Sequence, residues 1–217
     1  MIFDLLFVVA FLGSIATFVV AVVAALRGRG RRTKSILIGY GMFAAVYLGA
    51  VVAVSLISPQ RVLAIGNDRC FDDWCVAVED VTFTRALGQG DRAVTANGVF
   101  YVVRLRLSNH GHGRPQRASS AAVHLIDGRG QRYDASRQGQ DAFEAQHGPA
   151  PLLTSTIPVG QPVNTVQVFD LPKDARNVGL TIEHPVGLSP AVLVIGDDAS
   201  LFHKPTIVRL NPHEAGR

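Results

Sequence analysis

The sequence predicts two transmembrane α-helices followed by an all-β antiparallel sandwich. Three observations carry that reading. Two uncharged runs of 22 residues, Leu5–Leu26 and Ile36–Ile57, lie in tandem near the amino terminus. A cluster of five basic residues, with no acid, separates them. Beyond about residue 70 the apolar periodicity changes to two, and turn residues punctuate it at short intervals.

Each apolar run has the length that crosses a hydrocarbon core of about 30 Å at 1.5 Å per residue. Unpaired backbone amides are not tolerated in lipid, so such runs are expected to be helical. Inside them the polar residues are Ser14, Thr17, Tyr40, Tyr47 and Ser55. No Asp, Glu, Lys, Arg or His falls within either run, whereas transporters and proton relays usually carry ionisable groups there. Anchoring is the expected role of the hairpin. Gly39, Gly41 and Gly49 are positions where another helix could approach closely.

The intervening segment, residues 27–34, holds Arg27, Arg29, Arg31, Arg32 and Lys34. Short loops rich in Lys and Arg stay on the cytoplasmic side. The expected topology is therefore two-pass, in a bacterial inner (plasma) membrane, with the amino terminus and the carboxy-terminal domain outside the cytoplasm. Asp4 agrees, because the translocated tail then carries an acid; it also argues against a cleaved signal peptide, whose start is positive. The sequence pI is near 9.4, but from Arg61 onward there are 16 Lys and Arg against 16 Asp and Glu. The domain is neutral, with no basic stripe interleaved with aromatics, so nucleic acid is not an expected partner.

The expected organisation is a membrane hairpin over 1–58, with spans at 5–26 and 36–57. A linker over 59–69, a sandwich over 70–212 and a tail over 213–217 follow. Strands are expected at Cys75–Thr84, Phe100–Ser108, Ala121–Asp127, Gln131–Asp134, Val163–Leu171, Val178–Glu183, Ala191–Ile195 and Thr206–Leu210. Tyr101, Val103, Leu105 and Leu107 share one face of the second strand, with Arg104 and Arg106 on the other, the alternation of a half-buried strand. Asp127-Gly128-Arg129-Gly130 stands where a hairpin would reverse. Ser136–Gln146 has room for a short helix.

The runs YVVRLRLSNHG, VHLIDGRGQRYDAS and IPVGQPVNTVQVFDLPKDA resemble a bacterial envelope domain family of unassigned function. The recurring pieces are a strand ending in Asn109, a turn carrying Leu125, Asp127 and Gly130, and an approach through Gly160 to Phe169 and Pro172. The resemblance covers about residues 70–210 and implies an immunoglobulin-like, telokin-like sandwich, often attached to the envelope by a lipid or by helices. It implies no activity. This chain departs from the lipid-anchored members in carrying two spans.

Cys70 and Cys75 are the chain's two cysteines, and they flank Phe71-Asp72-Asp73-Trp74. In an oxidising compartment a disulfide is the economical reading, with Trp74 covering the core edge. A redox pair usually has two intervening residues, and a metal site would need two further ligands, from Asp72, Asp73 or a histidine. His110-x-His112, with His147, is a weaker metal candidate. Ser119, Ser120, His124 and Asp127 supply the letters of a nucleophilic triad without the nucleophile-elbow context, and His124 should face away from the core. Asp197-Asp198 lacks calcium-loop spacing. The expectation is a non-catalytic binding or interaction module without a cofactor, partnered by the bilayer and another envelope or membrane protein. The Asn109–Arg117 and Ser136–Thr156 loops are the expected recognition surface. Two alternatives are an accessory subunit acting through its helices and a metal- or redox-dependent enzyme using Cys70 and Cys75.

Overall fold

A computed structural model describes residues 2–71, 73–90, 93–111, 113–183, 190–198 and 200–210. The chain divides into two compact units, residues 1–61 with 187–205, and residues 62–186 with 206–217.

In the first unit, α1 (Ile2–Leu26) and α2 (Gly30–Ile57) form a helical hairpin. Segments Phe3–Leu26 and Gly30–Ile57, each holding an 18-residue stretch of mean hydropathy 2.7 and 2.1 respectively, are long and apolar enough to cross a membrane. The basic connection is tighter than expected. Because α2 begins at Gly30, only Arg27–Arg29 join the helices, and Arg31, Arg32 and Lys34 lie at the start of α2. Arg and Lys are good helix formers, so the helix extends back through them. Cations at a helix amino terminus oppose its dipole, so they are not there to stabilise it. The strand expected at Ala191–Ile195 does not form: Pro190–Leu193 is a single 3-10 turn in the helical unit. A short β-branched run reads alike as strand or buried turn, and only its packing partner decides.

The second unit is a sandwich. One sheet has the order β1 (Val62–Leu63), β11 (Ile207–Arg209), β10 (Gly179–Glu183), β6 (Ala122–Ile126), β7 (Arg132–Tyr133). The other runs β2 (Arg69–Phe71), β3 (Trp74–Leu87), β4 (Val94–Asn109), β9 (Val163–Leu171). A small ladder joins β5 (Gln116–Arg117) to β8 (Thr156–Ile157). Pairing is antiparallel except for β1 with β11. The linker expected over 59–69 thus contains a strand, because Val62 and Leu63 complete the sheet beside β11.

Val76, Val78, Val103, Leu105, Leu107, Phe169 and Leu171 from one sheet meet Val123, Leu125, Leu180, Ile182 and Val208 from the other. Each large side chain so buried contributes about 1.5–3 kcal/mol. A bulge at Glu79 shifts the register between Val78 and Asp80. Val78 faces Leu105, whereas beyond the bulge Val81 faces Val103 and Phe83 faces Tyr101. The inward parity of β3 therefore switches from even to odd, and the extra residue keeps the apolar side of the strand inward as far as Phe83.

The strand β4 is not half-buried along its length. Phe100 and Val102 point away from the main core into a second cluster with Val168, Ala142 and Phe143. The last two belong to α3 (Arg137–His147), which occupies the segment expected to hold a short helix. Ser136 caps α3 by accepting from Gly139 N–H at 3.1 Å. The helix also seals the free edge of β9. The Val168 N–H donates to Gln140 Oε1 at 3.1 Å, and Ser136 N–H donates to the Val168 carbonyl at 2.7 Å. An edge strand left bare would invite pairing with another chain.

Candidate functional site

Three segments meet at one end of the sandwich. The first is the β2–β3 hairpin, where Cys70 and Cys75 are direct cross-strand partners joined by a disulfide. Phe71 and Trp74 stack beside it with ring centroids 4.9 Å apart. Trp74 is 4% exposed and closes the core edge, as expected from its place in the sequence.

The second segment follows β4. Asn109 stands opposite Trp74 in the register and fixes the loop after it with three hydrogen bonds. Its Nδ2 donates to the carbonyls of Arg114 at 2.9 Å and Ile157 at 3.0 Å. Its Oδ1 accepts from Gly111 N–H at 2.8 Å. The short amide side chain thereby stands in for strand partners where the ladder ends.

The third segment is the stretch before and through β8. Arg117 Nε donates to the Thr154 carbonyl at 2.9 Å. The disulfide hairpin is tied in as well: His110 N–H donates to the Asp73 carbonyl at 2.7 Å, and Gln116 Nε2 donates to Asp73 Oδ2 at 3.0 Å. The two loops expected to carry recognition are thus adjacent and braced by the disulfide. The platform presents exposed Asp73, Arg114 and Arg117, and Leu152 is 72% exposed beside it. Of the longer Ser136–Thr156 segment, the first half is α3 on the outer sheet face, and only the second half joins this platform.

A second polar cluster lies on the other sheet. His124 faces away from the core, as the alternation predicts, yet it is buried beneath charged neighbours. Its Nδ1 lies 2.7 Å from Asp134 Oδ1, and Arg132 NH2 lies 2.6 Å from its Nε2. Arg132 also donates to Glu183 Oε1 at 2.9 Å. The hydrogen bond from His124, followed by that from Arg132, holds the Asp134 carboxyl below its ordinary pKa. Both ring nitrogens of His124 are thus in contact with charged neighbours. Asp127 plays no part in this cluster. Its Oδ1 accepts from Arg129 and Gln131 N–H, both at 2.9 Å, and its Oδ2 accepts from Arg129 Nε and Tyr133 OH. The triad letters do not converge: Asp127 is a hairpin cap, and the partner of His124 is Asp134.

Both cysteine sulfurs are committed to each other, which leaves no thiolate for a metal. His110 contacts Ser108, and His147 stacks on Phe143 within α3. No group of three or more His, Cys, Asp or Glu able to hold a metal occurs among the described residues. Asp72, His112 and the tail 213–217 lie outside the described residues. Sequence reasoning missed Arg69, which donates to the carbonyls of Ile182 at 2.9 Å and Thr206 at 3.2 Å and so ties one sheet to the other.

Comparison with curated proteins finds no match. Among solved structures, a conserved hypothetical protein from Bacillus anthracis is 20% identical, with 55% of this chain and 88% of that one covered at a TM-score of 0.43. An uncharacterised β-sandwich protein from Clostridium difficile is 11% identical, covering 71% and 96% at a TM-score of 0.42. The secreted protein MPT63 from Mycobacterium tuberculosis is 15% identical, covering 59% and 93% at a TM-score of 0.41. The family model of DUF4352, a domain of unknown function, matches residues 64–191, more than half of the chain. The matched span contains the disulfide, Asn109, Asp127 and α3, and the chain belongs to the DUF4352 family.

Proposed function

We propose that this protein is a two-pass, membrane-anchored module whose immunoglobulin-like, telokin-like sandwich stands outside the cytoplasm and binds another envelope component without catalysis. The observation that carries the reading is the platform built from the disulfide hairpin, the Asn109–Arg117 loop and the stretch around β8. Its loops are cross-braced, which keeps the cost of ordering them on binding low. Anchoring is supported by two long apolar helices free of ionisable groups in their apolar runs. The outside location is supported by the disulfide, which persists in oxidising compartments. The basic residues between the helices support a cytoplasmic connection.

A photo-crosslinking side chain at Arg114 in living cells tests the binding role, with one at Arg129, on the β6–β7 hairpin, as reference. The expected outcome is a discrete adduct with an envelope protein from position 114 and none from 129. Adducts from neither position, at normal protein levels, would overturn the reading.

A second reading, an accessory subunit acting through its helices, is favoured by one observation. A Cβ built at Gly39, Gly41 or Gly49 meets nothing within 4 Å, so these positions are open to another helix. Exchanging both spans for unrelated ones separates the two. Retained adducts from position 114 support the sandwich, and their loss supports the helices.

A further inference from the structure

The described residues between Pro190 and Phe202, expected from sequence to belong to the sandwich, pack instead on α2. Tyr47, Val51 and Ser55 form one stripe at a spacing of four, and Val51 and Ser55 are the α2 residues that the structure buries. Tyr47 OH donates to the Leu193 carbonyl at 2.9 Å. The hydroxyls of Ser55 and Ser200 are 2.9 Å apart, both buried. Val194 and Ile195 are buried as well, and a Cβ at Gly196 would lie 3.8 Å from Val54 Cγ1.

We propose that this segment is a membrane-inserted strap, seated on α2 inside the leaflet from which α2 emerges, with its outward side chains against lipid acyl chains. The inference rests on the reading of α2 as a span. Tyr47 precedes the last residue of α2 by ten positions, about 15 Å along the axis and so half of a core about 30 Å thick. A segment lying along α2 between the levels of Tyr47 and Ser55 must satisfy its own backbone. This one does so repeatedly: Val194 N–H donates to the Ala191 carbonyl, Ser200 N–H to Asp197 and Leu201 N–H to Val192, at 3.0, 3.0 and 3.1 Å.

The large side chains exposed on the outward face are apolar, and Asp198 is the exposed charge among the described residues of the segment. Leu201 is 41% exposed and Phe202 68%. Phe202 also sits at φ 64°, a left-handed backbone that a bulky residue adopts only when its surroundings enforce it. An exposed phenylalanine held in that conformation has no compensation in water, and it gains one in hydrocarbon. Ser200 meets Ser55 two residues from the end of α2, which puts the neighbouring Asp197 and Asp198 toward the headgroups.

The test uses the full chain in vesicles of phosphatidylethanolamine and phosphatidylglycerol with brominated acyl chains, which quench nearby indoles. Three variants are compared with the parent emission of Trp74: Phe202→Trp, Leu48→Trp on the exposed face of α2, and Val159→Trp on the sandwich. The expected result is bromolipid quenching of both Phe202→Trp and Leu48→Trp, with both shielded from aqueous iodide. Val159→Trp should show the reverse. Bromolipid quenching of Leu48→Trp with only iodide quenching of Phe202→Trp would overturn the strap and leave the anchor standing. No bromolipid quenching of Leu48→Trp would remove the anchor, and the strap with it. Leu201→Trp repeats the measurement should Phe202→Trp fail to fold, with the same outcomes deciding.

Discussion

Replacing Asn109 by Ala is the sharpest perturbation of the platform. The side chain makes three hydrogen bonds, to the carbonyls of Arg114 and Ile157 and from Gly111 N–H. Each has a net worth of about 1 kcal/mol, with more lost where a buried partner is left unsatisfied. Ile157 is fully buried, so its carbonyl has poor access to water. The expected loss is about 2–4 kcal/mol, a large share of the roughly 5–15 kcal/mol that stabilises a domain. For a unit of this size, that corresponds to a fall in Tm of about 6–12 °C. Trp74 is the chain's one tryptophan, lies in the sandwich core and pairs across from Asn109. Its fluorescence during urea or thermal unfolding in detergent therefore reports this unit directly. Asn109→Asp should be at least as damaging, because it keeps the acceptor for Gly111 but turns a carboxylate toward two carbonyl oxygens. A change of less than about 0.5 kcal/mol in both variants, as for an ordinary surface site, would refute the assignment of Asn109 as the organiser of the loops.

Three further outcomes follow from the same geometry. Cys70→Ser with Cys75→Ser opens a short loop and should lower stability by about 2 kcal/mol, read by Trp74 fluorescence; equal stability of parent and double variant would exclude a stabilising role for the bridge. Gly98→Ala should destabilise by about 1–3 kcal/mol or more, because its Cβ would meet the carbonyl oxygen of Leu171, and also lie 2.8 Å from the Lys173 nitrogen, both rigid backbone; wild-type Tm in that variant would contradict the packing of β4 on β9. Burial alone would raise the Asp127 pKa, but the N–H groups of Gln131 and Arg129, the Arg129 guanidinium and the Tyr133 hydroxyl outweigh it and hold the carboxyl below its ordinary value. A lowered folded pKa contributes stability that is present above the unfolded value and lost as pH falls through the folded one. Asp127→Asn should therefore be less stable at neutral pH and have a flatter stability profile below about pH 4, which unfolding titrations at several pH values would show.

How much was legible in the sequence differs from element to element. The strand Val163–Leu171 has the expected bounds, and the Asp127–Gly130 turn reverses a hairpin, because alternation and turn chemistry are local properties. Asn109 and Asp127 stood out from the family resemblance, and both prove to be backbone caps at the ends of strands. Arg69 gave no local signal, since its acceptors, the carbonyls of Ile182 and Thr206, lie more than a hundred residues away in sequence. The Glu79 bulge was equally silent. Whether Val78 and Val81 share a face depends on the register against Leu105 and Val103 of the neighbouring strand.

By itself, then, the sequence determined the apolar helical hairpin, the change to β-structure, the pairing of Cys70 with Cys75 and most strand positions. These follow from hydropathy, periodicity and proximity within a few residues. Only the tertiary structure decided that α3 buries the second face of β4, that two separate loops share one braced platform, and that residues 190–202 belong with α2. Each of those depends on which surface a segment buries. A short apolar stretch such as Ala191–Ile195 is equally suited to a strand or to a turn against a helix until its partner is in place.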